Sequence, residues 1–274
     1  MTFEKFLICS IVFLYSLATF GVFLGMLSSY RRVKISAHYL TLVGFTLHTI
    51  LAAVLLLHYS LEEISAGQYL LLLPWCLIAL YLVAWRVFQS AFFSLTAAPF
   101  ALLLSIFSIR LSNIQIVLPQ HLSGTFMGLH LTTLFVSFGL LTMACGAGII
   151  FLYVNSKMKK KAPIGNFATD FPALSTCDKI NHMAVLYGFP CYTLGLISGF
   201  IWAPLVRETV ENPKIITCLI LWFFYALLFY QRVALGIKGK RPSKLAIVIF
   251  VIAIVALGLD QVFTHHSQIL LPLS

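Results

Sequence analysis

The stretch Y-G-F-P-C-Y-T-L-G-L-I-S-G-F-I-W-A, residues 187–203, is the part of the sequence that decides the fold. It lies within an apolar segment long enough to span a membrane, yet it contains Pro190 and three glycines. Two of these, Gly195 and Gly199, are four positions apart, so they share one helix face and leave a groove that another surface can approach closely. The spacing therefore predicts a membrane helix packed tightly against a neighbour. Helix packing alone is a sufficient reason for these glycines.

The composition indicates a polytopic membrane protein. Of the 274 residues, 61% are hydrophobic and only 9% are charged, and the mean hydropathy is +0.99. A soluble protein of this composition would have too little polar surface to cover its core. The net charge of +10 comes from basic residues clustered in short loops between apolar segments. Membrane topology explains that clustering, so no nucleic-acid partner is expected.

The cysteines and the catalytic motifs point to no redox or hydrolytic chemistry. The six cysteines form no C-x-x-C and no C-x-x-C-H, which argues against a redox dithiol, a zinc site and covalent heme attachment. The sequence also has no nucleotide-binding loop, no nucleophile elbow and no H-E-x-x-H. We therefore predict a protein that is not an enzyme.

Eight apolar segments are long enough to span a membrane, which predicts an all-α fold in a single domain over residues 1–274. The predicted spans are 5–27, 38–58, 69–88, 92–110, 126–154, 181–206, 214–236 and 244–263. Basic residues follow every odd-numbered span, so these loops are assigned to the cytoplasm and both termini to the extracytoplasmic side. The first span lacks a small-residue cleavage pattern and is expected to be a retained helix. The polar connection 155–180 is expected to be an irregular cytoplasmic surface segment.

Histidines near the outer ends of two predicted helices suggest a pair of metal ligands. His130 lies near the outer end of the fifth span, and His265 and His266 follow the eighth. Two elements distant in sequence thus bring imidazoles to one membrane face, which is the arrangement that a bis-histidine heme requires. The alternative is that these interfacial histidines are solvated or hydrogen-bonded.

His48 differs from them because it lies near the middle of the second span, about 15 Å from the inner end at 1.5 Å per residue. An imidazole at that depth needs a partner, so His48 marks either a binding site or a buried polar contact. Tyr230, in the seventh span, lies about 9 Å from the same side. The two residues could share a pocket or form a simple hydrogen bond. The remaining histidines are expected to be interfacial rather than ligating: His38, His58, His121 and His182.

The sequence resembles the cytochrome c assembly membrane proteins of the CcsA and HemX type over nearly its whole length. Residues 187–203 are similar to that family's G-F-P-x-x-T-L-G-x-x-x-G-x-x-W-A segment, and G-F-T-L-H, at 44–48, is similar to its second-helix histidine motif. S-G-T-F-M-G-L-H-L, at 123–131, looks like the segment with the family's first external histidine. N-P-K-I-I-T-C-L-I-L-W, at 212–222, resembles the family's D-P-K-E-T-W-A-L-I-T-W.

The resemblance implies a protein of the bacterial inner membrane that binds heme b and handles it toward the outer face, in the manner of cytochrome c biogenesis. It places the outer axial ligands on His130 and His266, with His265 as a close competitor, and makes His48 the best inner candidate. The expected partners are heme, cytochrome c assembly factors and membrane lipid.

Four further residues are candidates to contact heme. Arg110, Arg207 and Lys214 are basic on the side where topology does not favour basic residues, so they could pair with propionates. Trp202 could stack on the porphyrin. Exposed surface charges and an interfacial aromatic residue are the plainer alternatives.

Two departures from the family pattern favour the HemX-like branch. The tryptophan-rich signature is absent, because the chain reads A-P-L-V-R-E-T-V-E at 203–211, and Tyr230 stands where a second membrane histidine is expected. HemX-like proteins are linked to control of glutamyl-tRNA reductase and heme biosynthesis, and the 155–180 connection would be the contact. A quinone-linked cytochrome b oxidoreductase is a further alternative, which the tyrosine at position 230 weakens.

Overall fold

The computed structural model describes residues 3–28, 31–58, 66–88, 93–110, 123–161, 172–205 and 212–269. They form eight α-helices, which are α1 Phe3–Ser28, α2 Arg31–His58, α3 Ala66–Phe88, α4 Phe93–Arg110, α5 Ser123–Lys159, α6 Leu174–Leu205, α7 Asn212–Val233 and α8 Lys240–Ile269. These described ranges contain no strand. The predicted all-α class is confirmed.

Six of the helices, α1, α2, α3, α5, α6 and α7, are long and apolar enough to cross a membrane, and α4 contains a shorter apolar stretch, Ala97–Ile106. The chain is therefore a multi-pass membrane protein. Helices α1, α3, α5 and α7 end on one side of the bundle, where the connecting sequence is rich in lysine and arginine. We call this side the basic end and the opposite side the outer end. The count of eight spans, the single domain and the extracytoplasmic termini stay predictions.

Four helices extend well beyond their predicted spans. Helix α2 begins at Arg31, α5 continues to Lys159, α6 begins at Leu174, and α8 continues to Ile269. Hydropathy ends a predicted span at the first polar residues, whereas backbone hydrogen bonds continue the helix into water, and lysines in the last turn of α5 favour its C-terminal dipole. The prediction of an irregular segment over 155–180 was therefore too wide. His265 and His266 lie within α8 rather than after it.

Helix α5 is the centre of the bundle. It packs against α3, α4, α6 and α8, and its most extensive interface is with α6. Its residues 141–148 are all buried and include several small side chains. A Cβ placed on Gly148 would lie 2.9 Å from the carbonyl oxygen of Ser243, so only glycine lets the start of α8 approach so closely. The small residues of α5 thus set the depth at which α8 packs.

The hydrophobic core continues through all of the helices. Each contributes at least one buried residue to the same cluster: Leu7, Leu51, Leu71, Ala97, Leu141, Ile180, Leu221 and Ala246. Large apolar side chains are also exposed on the outward faces, for example Phe13, Leu57 and Phe223. Apolar residues on both the inside and the outside are what a lipid solvent requires.

A buried ion pair ties α6 and α7 together at the basic end. Nη1 of Arg232 donates to Oδ1 of Asp178 at 2.9 Å, and the side chains are 1% and 15% exposed. The guanidinium also donates to the carbonyl oxygens of Asp178 and Ile237, while the backbone N–H of Gly239 donates to the Asp178 carboxylate at 2.8 Å. Gly239 has a φ of +83°, which a residue with a side chain rarely adopts. The pair therefore also fixes the turn that leads into α8.

Candidate functional site

The glycine groove of α6 holds the imidazole of His130. Nδ1 of His130 lies 2.6 Å from the carbonyl oxygen of Gly195. A Cβ on Gly199 would lie 2.7 Å from both Cε1 and Nδ1 of the ring, and one on Gly195 would lie 2.6 Å from Cδ2 of Leu134. A larger residue at Gly199 would push the imidazole away, and one at Gly195 would displace the side chain of Leu134. The close packing predicted from the glycine spacing is confirmed, and its partner is the outer half of α5.

The hydrogen bond decides which nitrogen of His130 can bind a metal. A carbonyl oxygen only accepts, so Nδ1 carries the proton and donates it to Gly195. In the neutral ring the lone pair is then on Nε2. A backbone carbonyl that holds one ring nitrogen while the other ligates is the usual arrangement around metal-bound histidines. The partly buried His130 thus has the tautomer that metal-bound histidines use when they ligate through Nε2.

The second outer candidate is on α8, which runs antiparallel to α5. Phe138 of α5 contacts Phe250 of α8, with ring centroids 5.8 Å apart, and Gly148 lies against Ser243. Extending this register outward at 1.5 Å per residue places His265 and His266 within about two turns of the level of His130. The α8 backbone therefore reaches the outer end of the bundle, where His130 also lies. The side chains of both histidines lie outside the described part of the chain.

His48 forms a closed set of hydrogen bonds between three helices. It is 1% exposed. Nε2 lies 2.9 Å from the carbonyl oxygen of Leu71 in α3, and Nδ1 lies 3.2 Å from the hydroxyl of Tyr15 in α1. Because the carbonyl must accept, Nε2 donates, and Nδ1 accepts the tyrosine O–H. Both ring nitrogens are thus engaged by the protein, and the buried polar contact expected as one alternative for this residue is present.

Pro74 is inside α3, three positions after the Leu71 carbonyl that His48 contacts. Proline has no N–H, so the carbonyl four positions before it, that of Leu70, loses its helical partner. Leu71 is the next residue, so His48 donates to a carbonyl beside the turn that the proline interrupts.

The structure does not bring His48 and Tyr230 together. Tyr230 is 54% exposed on α7, a helix that packs mainly against α6 and α8. The tyrosine bonded to His48 is Tyr15 instead. The hypothesis of a shared pocket is wrong. The depth of a residue along its helix does not indicate which helices are neighbours, and α2 packs against α1 rather than α7.

The remaining predicted residues are placed only by their backbones. Arg110 is the last residue of α4, Lys214 is in the first turn of α7, and Trp202 is in the last turn of α6, two turns beyond Gly195 and on the same helix face. Their side chains, and all of Arg207, lie outside the described residues. Among described residues, no group of three or more His, Cys, Asp or Glu is arranged to hold a metal ion.

Among the interhelical polar contacts that the sequence did not predict, two involve a charged group or an imidazole. One is the pair of Asp178 and Arg232. The other is His38, whose Nδ1 lies 2.6 Å from the hydroxyl of Tyr81 and whose ring lies 4.4 Å from that of Trp85. Its position near a helix end suggested a solvated residue. The tyrosine and tryptophan one turn apart on α3 were the signal available, because that spacing presents both on one face.

The fold and the outer histidine define a class: multi-pass helical membrane proteins that hold a carbonyl-bonded imidazole in a glycine groove. Comparison with known sequences identifies the family within this class. A family model described as Cytochrome C assembly protein matches residues 63–264. The chain belongs to the cytochrome c assembly protein family.

Individual relatives agree with the family. The chain is 26% identical to cytochrome c biogenesis protein CcsA of Guillardia theta over 147 residues, which is 48% of this chain and 49% of the relative. It is 24% identical to the protein of that name from Mesostigma viride over 221 residues, covering 71% and 72% of the two chains. For the Prochlorococcus marinus (strain MIT 9215) protein, the identity is 25% over 222 residues, covering 72% and 71%. No solved structure matches the chain.

Proposed function

We propose that this protein binds heme b without a covalent bond and passes it toward the outer face of the membrane for cytochrome c biogenesis. The observation that supports this most directly is the imidazole of His130, held through Nδ1 by Gly195 so that Nε2 bears the lone pair. Family membership and the names of the relatives support the same process. Bound heme would supply an iron that accepts two axial nitrogens.

The outer site consists of His130 and His266 as axial ligands, with His265 as the competitor one residue away. The register of α5 and α8 supports this pairing, because both backbones reach the outer end. Arg110, Arg207 and Lys214 would face the propionates. Trp202 would stack on the ring from the α6 face that also contains Gly195. The protein acts as a carrier rather than an enzyme in this proposal, in a bacterial inner membrane with both termini outside.

His48 is the weaker part of the proposal. To bind iron it would have to give up either Tyr15 or the Leu71 carbonyl, both within hydrogen-bonding distance. An apolar environment makes an abandoned partner costly. The bonds of His48 therefore support a structural role more directly than a role as inner ligand.

A spectrum with ligand rescue tests the outer site. Purified protein should show a low-spin heme, measured by its Soret band and by pyridine hemochrome. His130→Gly and His266→Gly should each lose that spectrum, and added imidazole should restore it, because only the axial nitrogen is missing. His265→Gly is the matched control and should change little.

Three results would count against this site. If His265→Gly loses heme while His266→Gly keeps it, the second ligand moves by one residue. If all three variants keep the wild-type spectrum, the bis-histidine site does not exist. A reporter fused after Ser274 that reads cytoplasmic would separate the two ligands by the membrane and end the model.

A regulatory role of the HemX type is a second candidate, supported by the sequence at 203–211, which lacks the tryptophan-rich signature. In that case heme is sensed rather than moved, and the basic-end connection between α5 and α6 contacts glutamyl-tRNA reductase. Co-purification of the reductase, lost when residues 162–171 are replaced by a Gly-Ser linker, would support regulation. A heme-loaded protein that never retains the reductase would rule it out.

A further inference from the structure

The carbonyl oxygen that holds His130 also accepts from a second side chain. Nδ1 of His130 lies 2.6 Å from the oxygen of Gly195, and Oγ of Ser198 lies 2.9 Å from the same atom. Ser198 is 3% exposed and is in α6, three positions after Gly195. An imidazole from α5 and a hydroxyl from α6 therefore converge on one acceptor inside the glycine groove.

The hydroxyl of Ser198 has two acceptors within reach. Its Oγ also lies 2.9 Å from the carbonyl oxygen of Leu194, so the two carbonyls are equally distant. A serine hydroxyl has a single proton, so it donates to one of these oxygens or shares the proton between them. The load on the Gly195 oxygen therefore depends on Ser198.

Other hydroxyls of the bundle show how this arrangement differs from ordinary helix packing. Ser105 in α4 and Thr193 in α6 each donate to the carbonyl four positions before them, at 2.7 Å and 3.0 Å. Such a bond satisfies a hydroxyl inside its own helix. Ser198 does the same, but it also reaches the carbonyl to which the candidate ligand His130 is bonded.

Competition for this oxygen sets how strongly His130 is bonded. A carbonyl oxygen has two lone pairs, and Gly195, as a residue inside α6, also offers them to the helical N–H four positions later. Donors that share one acceptor weaken each other, because each draws on the same oxygen charge. A proton from Ser198 therefore weakens the bond from Nδ1, and a weaker bond there leaves Nε2 less basic.

We propose that Ser198 is a positioning residue that tunes His130 as a heme ligand, by lowering the basicity of Nε2 through the shared Gly195 carbonyl. This rests on the proposed function, because it takes heme as the group that His130 binds. Ligand identity and the hydrogen bonds around the ligand set the reduction potential of heme. A less basic imidazole stabilises ferric iron less, so Ser198 raises the potential of the outer heme.

The first test is the reduction potential of the outer heme in full-length protein in detergent, titrated spectroelectrochemically. The signal is the low-spin component that His130→Gly removes. Ser198→Ala should keep the heme but shift the ratio of ferric to ferrous affinity about threefold toward ferric. At about 59 mV per tenfold for one electron, the potential falls by about 28 mV. Ser198→Cys, whose thiol is a weaker donor, should give an intermediate value.

Ser105→Ala is the matched control, because it removes a buried hydroxyl that donates to the carbonyl of Ala101 instead. It should leave the potential unchanged. The second test needs no heme. In apoprotein with isotope-labelled histidine, the Nδ1 proton of His130 should move downfield in Ser198→Ala, since a stronger hydrogen bond deshields its proton. His130→Gln identifies that resonance by its loss.

The outcomes separate this inference from the proposed function. A downfield Nδ1 proton together with a lower potential supports the tuning role. If the potential stays at the wild-type value, the inference is wrong, while a low-spin spectrum that depends on His130 leaves the proposed function in place. Loss of heme from folded Ser198→Ala protein also overturns it, because the serine is then needed for binding rather than for tuning. Wild-type protein without heme would remove both proposals.

Discussion

The pockets of His130 and His48 use the same side chain in opposite ways. Each ring donates to a backbone carbonyl, of Gly195 in one case and of Leu71 in the other. The carbonyl for His130 comes from a groove of small residues, so the helix itself comes close to the ring. The carbonyl for His48 lies beside the turn that Pro74 interrupts, and Tyr15 engages the second nitrogen. In the proposed function the first pocket holds an imidazole for heme, whereas the second uses its imidazole as a link between helices.

The difference shows that burial alone does not identify a functional histidine in a membrane. His48 is the more buried of the two and would rank first by depth or by cost of insertion. Hydrogen bonds to Tyr15 and to the Leu71 carbonyl already offset the cost of burying its imidazole. The assignment of ring protons, which follows from which atoms can only accept, distinguishes the two roles.

The largest effect on heme binding is expected from closing the glycine groove. Gly199→Ala places a methyl group 2.7 Å from the ring of His130, so the imidazole must leave Gly195 or α6 must shift. We expect loss of the low-spin spectrum together with destabilisation of about 1–3 kcal/mol. The measurements are heme content and thermal unfolding in detergent.

Gly128→Ala is the matched control, because a Cβ there meets nothing within 4 Å. Gly128 is two residues before His130 in α5. The variant should leave the heme spectrum unchanged, and the higher helix propensity of alanine should raise the free energy of unfolding by about 0.5–1 kcal/mol. Equal spectra for the two alanine variants would show that the groove does not position the ligand.

Removal of His48 should affect stability rather than the outer heme. His48→Ala leaves a cavity and leaves Tyr15 and the Leu71 carbonyl without their hydrogen-bond partner, which should cost about 2–4 kcal/mol. The Soret band of the outer site should keep its wild-type position in whatever protein folds. His48→Gln should recover part of the stability. If His48→Ala were as stable as wild type but bound half as much heme, His48 would be a heme ligand rather than a link between helices.

The smallest effect is expected from Tyr15→Phe, which removes one hydroxyl and little volume. Interhelical hydrogen bonds in membranes contribute about 0.6 kcal/mol on average and about 1.7 at most. We therefore expect a loss in that range, measured by thermal unfolding, with unchanged heme content. A double-mutant cycle with His48→Gln should show coupling between the two positions, since they share one bond. Strict additivity would mean that the bond contributes nothing.

Much of the fold followed from the sequence because lipid imposes a simple rule. Long apolar runs must be helices, so the eight helices and their order were predictable. Their ends were not, since hydropathy stops at the first polar residues while the helix does not, as α5 and α8 show. The glycine groove was predictable from its spacing, but not that His130 would occupy it, because that requires the pairing of α5 with α6.

The polar pairs show the same limit. A partner for His48 was expected from the cost of burying an imidazole, yet Tyr15 could not be identified without knowing that α1 packs beside α2. The position of His38, counted along its own helix, predicts an interfacial residue. Its environment is created by Tyr81 and Trp85 of a different helix. The sequence predicts how deep a residue lies in the membrane, whereas its neighbours on other helices are known only from the fold.

The ion pair at the basic end has a consequence for how the chain is made. Asp178 and Arg232 are 54 positions apart, so the ribosome delivers the carboxylate well before its partner. Until α7 arrives, the start of α6 has an uncompensated charge, which favours an aqueous or headgroup position over the final depth. We expect a nascent chain stopped at residue 225 to be degraded faster in a pulse-chase experiment than one stopped at 239, which can close the pair. Equal turnover would mean that α6 reaches its depth unaided during synthesis.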